Sequence, residues 1–361
     1  MHVLILGASY GSLLATKLLL AGHDATLVCT EGTAALVNAQ GTRVRLPVRG
    51  RDALVEVDSN VLTGTLSAVT PEGIDPDEFD LVVLAMQEPQ YGSDGVRDLL
   101  GRVASAGVPA MAIMNMPPLP YLARLPGVDV DELTHCYAEP DLWSGFDPSR
   151  VTLASPDPQA FRPADEEKNV LQVSLPTNFK VAPFGDDAHT ALLRTMQDDI
   201  RAARFEVAGR ERPGESIELP VHVALHDSLY VPLAKWAMLI SGNYACVAER
   251  GMISIREAVH DDLERSRTCY EWVCELCEKL GAAPDDMVPF GKYAKAAEGL
   301  AKPSSAARSL FDGAEAIERV DALVQGVARQ QGMQLDALDA IVARIDARLE
   351  SNRADAGRAG R

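Results

Sequence analysis

The chain has 361 residues, 47% of them apolar, and a formal charge of −18 from 52 acidic and 34 basic side chains. That length predicts two domains with cores of ordinary size, and the acidic excess repels phosphate polyanions, which argues against a nucleic-acid partner. Six cysteines, in a chain whose first apolar run starts at residue 2 without a basic leader, predict reduced thiols and a cytoplasmic protein.

HVLIL, residues 2–6, is the kind of run that becomes a parallel strand buried on both faces. A helix from about Ser12 to Ala21, stopped by Gly22, and a second strand over Ala25–Cys29 complete a βαβ unit. The turn inside it reads Gly7-Ala8-Ser9-Tyr10-Gly11-Ser12, where a dinucleotide-binding turn reads G-x-G-x-x-G. A polar segment follows to about residue 75. FDLVVLAMQ (79–87) and VPAMAIMN (108–115) predict two more buried strands with a helix between them, so strand and helix alternate as in a doubly wound sheet. The less regular stretch 130–215 is read as extra antiparallel strands.

From residue 222 the pattern is helical. The run 228–248 predicts one helix, capped by Asp227 or Ser228, with Pro232 in its first turns. Residues 253–280 and 315–350 carry helical periodicity, and the small, charged end 351–361 predicts a disordered tail. The expected architecture is an α/β Rossmann-like doubly wound domain over 1–215, then an all-α C-terminal domain over 216–350, with a cleft between them.

Several features carry bland readings. Cys274 and Cys277 form a C-x-x-C inside an amphipathic helical pattern with no second pair, which favours helix core over zinc. His222 and His226 lie four apart after Pro220 and do not form a zinc-hydrolase motif. The 228–248 run is long enough for a membrane but contains Pro232, Lys235, Gly242 and Asn243, so a buried helix fits better.

Lys235 is the only Asp, Glu, Lys, Arg or His between Asp227 and Glu249. An ammonium in such surroundings faces a polar cleft, finds a partner, or lowers its pKa and becomes a competent general acid; snorkelling to water is the alternative. Leu239 and Asn243 follow at helical spacing and are expected on the same face.

Together these segments resemble the ketopantoate reductases and the wider group of 6-phosphogluconate-dehydrogenase-like reductases. GSLLATKLLLAGHDATLV, FDLVVLAMQEPQ, AIMN, LYVPLAKWAMLISGN and KPSSAARSLFDGAEAIERVD carry the likeness in order. The resemblance implies hydride delivery from NADP(H) or NAD(H) to the keto carbon of a small 2-oxo acid. It puts the catalytic lysine at Lys235 and supporting asparagines at Asn115 and Asn243. The substrate-binding serine falls on Ser304. Gly7, Ser9, Tyr10, Gly11, Ser12, Thr30, Gln87 and Asn115 stand at the cofactor positions.

Five departures stand beside the matches. The glycine turn is one residue short, with Ser9 at its second glycine. Thr30, followed by Glu31, replaces the arginine that grips a 2′-phosphate. Gln87 replaces a cofactor-side lysine, and Leu239 an asparagine. The substrate glutamate falls on Ala316, with Glu315 and Glu318 beside it. These changes point away from ketopantoate as substrate. They leave NAD against NADP open, and they leave a second reading, a non-redox protein that binds a nucleotide or metabolite on the same shell. No metal, membrane or nucleic acid is expected, and oligomeric state, a homodimer included, is open.

Overall fold

The short apolar runs of the first part of the chain form the strands of one eight-stranded sheet. They are β1 (His2–Leu6), β2 (Asp24–Val28), β3 (Leu66–Val69), β4 (Leu81–Leu84), β5 (Ala110–Ile113), β6 (Val151–Ser155), β7 (Phe179–Val181) and β8 (Val223–Leu225). In space they run β3-β2-β1-β4-β5-β6-β7-β8. All neighbours are parallel except β6 and β7. β1 has β2 on one side and β4 on the other, so the strand order reverses there. That switch point, beyond the carboxyl ends of β1 and β4, is where doubly wound sheets bind ligands.

In this computed structural model, which describes residues 1–207 and 215–359, the chain divides into two units. The first comprises Met1–Met86, Ser93–Tyr121 and Leu142–Asp227. Its helices are α1 (Tyr10–Leu20), α2 (Glu31–Gln40), α3 (Val96–Ala106) and α4 (Asp187–Ala202). Leu13, Leu14 and Leu18 of α1 join Val3, Ile5 and Leu27 in its core. The stretch expected to hold only antiparallel strands is more varied. β6 extends the parallel sheet, and α4 starts at Asp186, whose carboxylate accepts from the His189 N–H. Gln159–Phe161 and Val170–Leu175 belong to a separate four-stranded sheet with Arg43–Leu46 and Val55–Asp58. Because β8 joins the main sheet, the first unit runs past the boundary expected at 215, to Asp227.

The second unit comprises Gln87–Gly92, Leu122–Asp141 and Ser228–Arg361. It holds α5 (Ala234–Met238), α6 (Ile255–His260), α7 (Leu263–Leu280), α8 (Phe290–Ala297), α9 (Ser305–Phe311), α10 (Val320–Gln330) and α11 (Asp336–Ala359). The run 228–248 is not one α-helix. Pro232 lies in a 3-10 turn over Val231–Leu233, α5 follows, and Leu239–Tyr244 form a π-helical segment. The helical stretch after residue 253 breaks at Asp261 and Asp262. Ser254 and Glu257 make a capping box for α6, and the Asp262 carboxylate caps α7. At the other end, α11 continues as far as Ala359 through the expected disordered tail. Asn352 fixes it by donating to the carbonyls of Leu310 and Ala314, each at 2.8 Å. No helix among the described residues is long and apolar enough to cross a membrane.

Candidate functional site

In the first unit the altered glycine turn sits at the switch point. Gly7 ends β1 with φ +108°, and a Cβ there would meet the Ala85 carbonyl oxygen at 2.7 Å and Met86 at 2.6 Å. Only glycine fits that backbone and that approach. Gly11 lets α1 lie against β1, since a Cβ would reach Ile5 at 2.7 Å. Ser9 is the N-cap of α1, partly exposed, and its hydroxyl makes no cap bond. The two neighbouring side chains are spent inside the protein. The Tyr10 phenol donates to the Pro158 carbonyl, and the Ser12 hydroxyl donates to the Ala8 carbonyl at 2.5 Å. What remains for a diphosphate is the Ser9 hydroxyl and the N–H groups of Tyr10 and Gly11 at the start of α1, since the Ser12 N–H donates to the Ser9 carbonyl at 3.1 Å.

Thr30 is exposed just beyond β2 as the N-cap of α2, with Glu31 exposed in that helix's first turn. A hydroxyl and a carboxylate there suit an unphosphorylated ribose, and no cation is present at either position to meet a 2′-phosphate. Asn115 follows β5 and is the one partly exposed residue from Val108 to Leu122. The residues present thus fit a nicotinamide dinucleotide held at the carboxyl ends of β1, β4 and β5. Gln87 belongs to the second unit; it is exposed, and its N–H donates to Gln90 Oε1 at 3.0 Å.

In the second unit Lys235, Met238 and Asn243 are the partly exposed residues between Val231 and Tyr244; every other position in that span is buried. In an unbroken α-helix, positions eight apart are about 80° out of line. One α turn of about 3.6 residues followed by one π turn of about 4.4 spans eight, so the π segment brings Asn243 into line with Lys235. Leu239, expected on that face, lies in the core at 3% exposure, and Met238 is partly exposed instead.

The π segment is held from three sides. Ser241 donates to the Ala237 carbonyl at 2.7 Å, and Tyr293 donates to the Met238 carbonyl at 3.2 Å. Ser304 donates to the Asn243 carbonyl at 2.6 Å while its oxygen accepts from the Ala307 N–H at 3.1 Å as the cap of α9. Ser304 is therefore a buried support for Asn243 in this structure, with both functions of its hydroxyl engaged.

Of the two candidate glutamates only Glu318 lies in the interior. The segment carrying them is irregular rather than helical, leaving Glu315 exposed while Glu318 is 7% exposed. Its backbone is tied to the π segment: Tyr244 donates to the Glu318 carbonyl at 2.5 Å and accepts from the Val320 N–H at 3.2 Å. Asn243 and Tyr244, adjacent in sequence, thus anchor the Ser304 and Glu318 loops to the helix that carries Lys235.

Sequence reasoning passed over Glu88. It is 1% exposed, its carboxylate oxygens accept from the Ala138 N–H at 3.0 and 3.2 Å, and its own N–H points to Glu318 Oε1 at 3.4 Å. Burial pushes its carboxyl up to about 7, against the pull of the N–H groups of Ala138 and Glu139. The available signal was an acid placed directly after the apolar strand of FDLVVLAMQE. Tyr137 is buried beside this pair. Its phenol is pushed well up, first by burial and then by Cys136, Glu88 and Glu318.

Cys274 and Cys277 are free thiols of α7, and His222 pairs with Glu218 at 3.2 Å. No group of three or more metal-ligating side chains occurs among the described residues.

A doubly wound sheet followed by a helical bundle of this kind defines the ketopantoate reductase fold. Three solved structures share it over nearly their whole length. A D-mandelate dehydrogenase, solved with NADH and anilino(oxo)acetate, is 13% identical with a TM-score of 0.63, covering 98% of this chain and 99% of its own. The 2-dehydropantoate 2-reductase of Methylococcus capsulatus is 12% identical with a TM-score of 0.65, covering 98% of each chain. The probable 2-dehydropantoate 2-reductase of Bacillus subtilis is 14% identical with a TM-score of 0.60, covering 96% and 100%. No protein-family model and no curated protein sequence matches this chain.

Proposed function

We propose that the protein is a nicotinamide-dependent oxidoreductase that interconverts a small 2-oxo acid and its 2-hydroxy acid, with Lys235 as general acid. What supports this reading is that Lys235, Met238 and Asn243 are the partly exposed positions of an otherwise buried span that contains a π turn. π segments break the regular helix at a cost and recur at functional sites.

The first unit would hold the dinucleotide, with the diphosphate on the α1 N-terminus, the ribose at Thr30 and Glu31, and the nicotinamide near Asn115. When bound, the reduced nicotinamide supplies a hydride to the keto carbon. Lys235 Nζ donates a proton to the developing alkoxide oxygen and regains it from solvent. Asn243 and Glu318 hold the substrate's polar groups, and Ser304 keeps Asn243 in place. Met238, the third residue of the exposed face, gives that face an apolar patch suited to a substrate side chain. D-mandelate dehydrogenase and the two reductases support the reaction class by fold, and the departures from the ketopantoate pattern support a different 2-oxo acid. With Thr30 and Glu31 at the ribose position, NADH is the favoured cofactor.

The test is loss of reduced-nicotinamide absorbance with a panel of aliphatic and aryl 2-oxo acids. Turnover that disappears in Lys235→Ala supports the assignment. Dinucleotide binding without turnover on any member favours instead a non-redox binding protein, the reading to which the short glycine turn lends weight. No binding of NADH or NADPH overturns the proposal.

A further inference from the structure

We propose that Glu88 is a positioning residue for Glu318 and that its charge state sets how tightly the second unit holds an anionic 2-oxo acid. The inference rests on the assignment of Glu318 to the substrate made above. Glu88 opens a short 3-10 turn, Glu88–Gly92, and is almost fully buried. Its carboxylate accepts from the N–H groups of Ala138 and Glu139, while its N–H points to Glu318 Oε1 at 3.4 Å. The turn is pressed onto the same segment at its far end, where a Cβ on Gly92 would meet Glu139 at 2.9 Å. Glu88 therefore links the 137–139 backbone to the Glu318 side chain.

The ionisable groups around this link are almost all acids. Cys136, Tyr137 and Glu139 come from the neighbouring segment, Tyr244 from the π segment, Glu318, Arg319 and Asp321 from the approach to α10, and Asp346 from α11. Arg319, a cation of this group, pairs with Asp321 at 2.9 Å and Asp346 at 2.7 Å. No cation pairs with Glu88 among the described residues. A buried carboxyl without a counter-charge stays protonated into the neutral range, as the upward shift to about 7 agrees. Ionisation then adds a negative charge beside Glu318, which disfavours an anionic 2-oxo acid whose polar groups are held there. Substrate binding should weaken as pH rises through neutrality, and binding above neutrality should draw a proton onto Glu88.

The experiment compares KM for the best 2-oxo acid of the panel across about pH 5.5 to 8.5, with saturating NADH, in wild type and Glu88→Gln. The expected result is a wild-type KM that rises several-fold above neutrality with a smaller change in kcat, and a nearly flat KM in Glu88→Gln. The same KM profile in both proteins overturns the inference. Calorimetry on the wild type, titrating the acid into the enzyme–NADH complex in two buffers of different ionisation enthalpy, covers a variant that does not fold. Net proton uptake just above neutrality supports the inference and its absence overturns it. Glu318→Gln separates the two levels: an unchanged KM there removes Glu318 from the substrate site, and the role of Glu88 falls with it. A panel with no turnover overturns the proposed function itself.

Discussion

The phenolic oxygen of Tyr293 stands where a Cβ on Gly242 would come within 1.9 Å of it. That hydroxyl donates to the Met238 carbonyl, which in an unbroken α-helix would accept from Gly242 itself. The glycine makes room for the tyrosine, and the tyrosine satisfies a carbonyl that the π turn displaces. Gly242→Ala should therefore cost about 1–3 kcal/mol of stability and lower kcat/KM by rotating Asn243 away from Lys235. Removing the hydroxyl in Tyr293→Phe relieves the clash, so the double variant should recover part of the stability lost by Gly242→Ala alone. Urea unfolding of the four proteins in this cycle measures the coupling, and strictly additive effects would show that the two residues act independently.

Lys235 offers the most direct kinetic prediction. If its ammonium protonates the alkoxide, Lys235→Ala should lower kcat by roughly 10²–10⁴. Its place in the second unit predicts that the Kd for NADH, read by fluorescence, changes little. Equal losses in NADH affinity and turnover would assign Lys235 to the cofactor and not to the chemistry.

Much of this could be read from the chain. Apolar runs of four or five residues, such as Leu81–Leu84, can only be satisfied in a sheet covered on both faces, so the strands around the switch point were legible. Lys235 stands out in the sequence because a single charge among the 21 residues 228–248 needs a reason. The π turn was not, because it depends on Tyr293, some fifty residues further on, filling the space beside Gly242. Leu239 was accordingly placed on the wrong face. Glu88 was hidden, and Glu318 could not be told from Glu315, for the same reason: a carboxyl's burial is set by segments far apart in sequence, here the 87–92 turn, the 137–139 backbone and the irregular lead into α10. The helix α4 and the ordered continuation of α11 past residue 351 were missed because polar, charged sequence looks alike in a loop and on a solvated helix. In both cases capping or anchoring contacts decide.

Cofactor choice follows from two exposed residues. With Thr30 at the N-cap of α2 and Glu31 in its first turn, the position after β2 itself carries a negative charge, and the cation near it is Arg162, which acts on the neighbouring Cys29. NADH should bind more tightly than NADPH, and Glu31→Gln should narrow the difference by improving NADPH. Thermal shift with each dinucleotide is the measurement, since ligand at a hundred times its Kd adds about 2.7 kcal/mol of apparent stability. A larger shift with NADPH in the wild type would mean that a cation outside the β2 turn meets the 2′-phosphate.

The last prediction concerns Lys17, which is 2% exposed in α1 and donates to the carbonyls of Leu219 at 2.8 Å and Pro220 at 3.2 Å. These acceptors precede Val221, whose φ of +68° is the one positive value at a non-glycine residue among those described. The lysine therefore clamps a strained turn at the start of β8. Burial lowers its pKa to about 8, with Glu218 pulling the other way and Arg204 adding to the fall. In the unfolded chain a lysine titrates near about 10.4, so between those values the unfolded state binds more protons than the native one. Stability contributed by this position is accordingly lowest below about pH 8 and rises toward about pH 10.4. Lys17→Met removes the titration. The stability of wild type relative to that variant should climb with pH across this window, at a slope no steeper than about 1.4 kcal/mol per unit. Urea unfolding at several pH values measures it, and the variant serves as the reference that cancels the buried tyrosines and cysteines titrating nearby. A constant difference would mean that the two carbonyl partners solvate the ammonium in the folded protein as well as water does in the unfolded chain, which its near-complete burial makes the unexpected result.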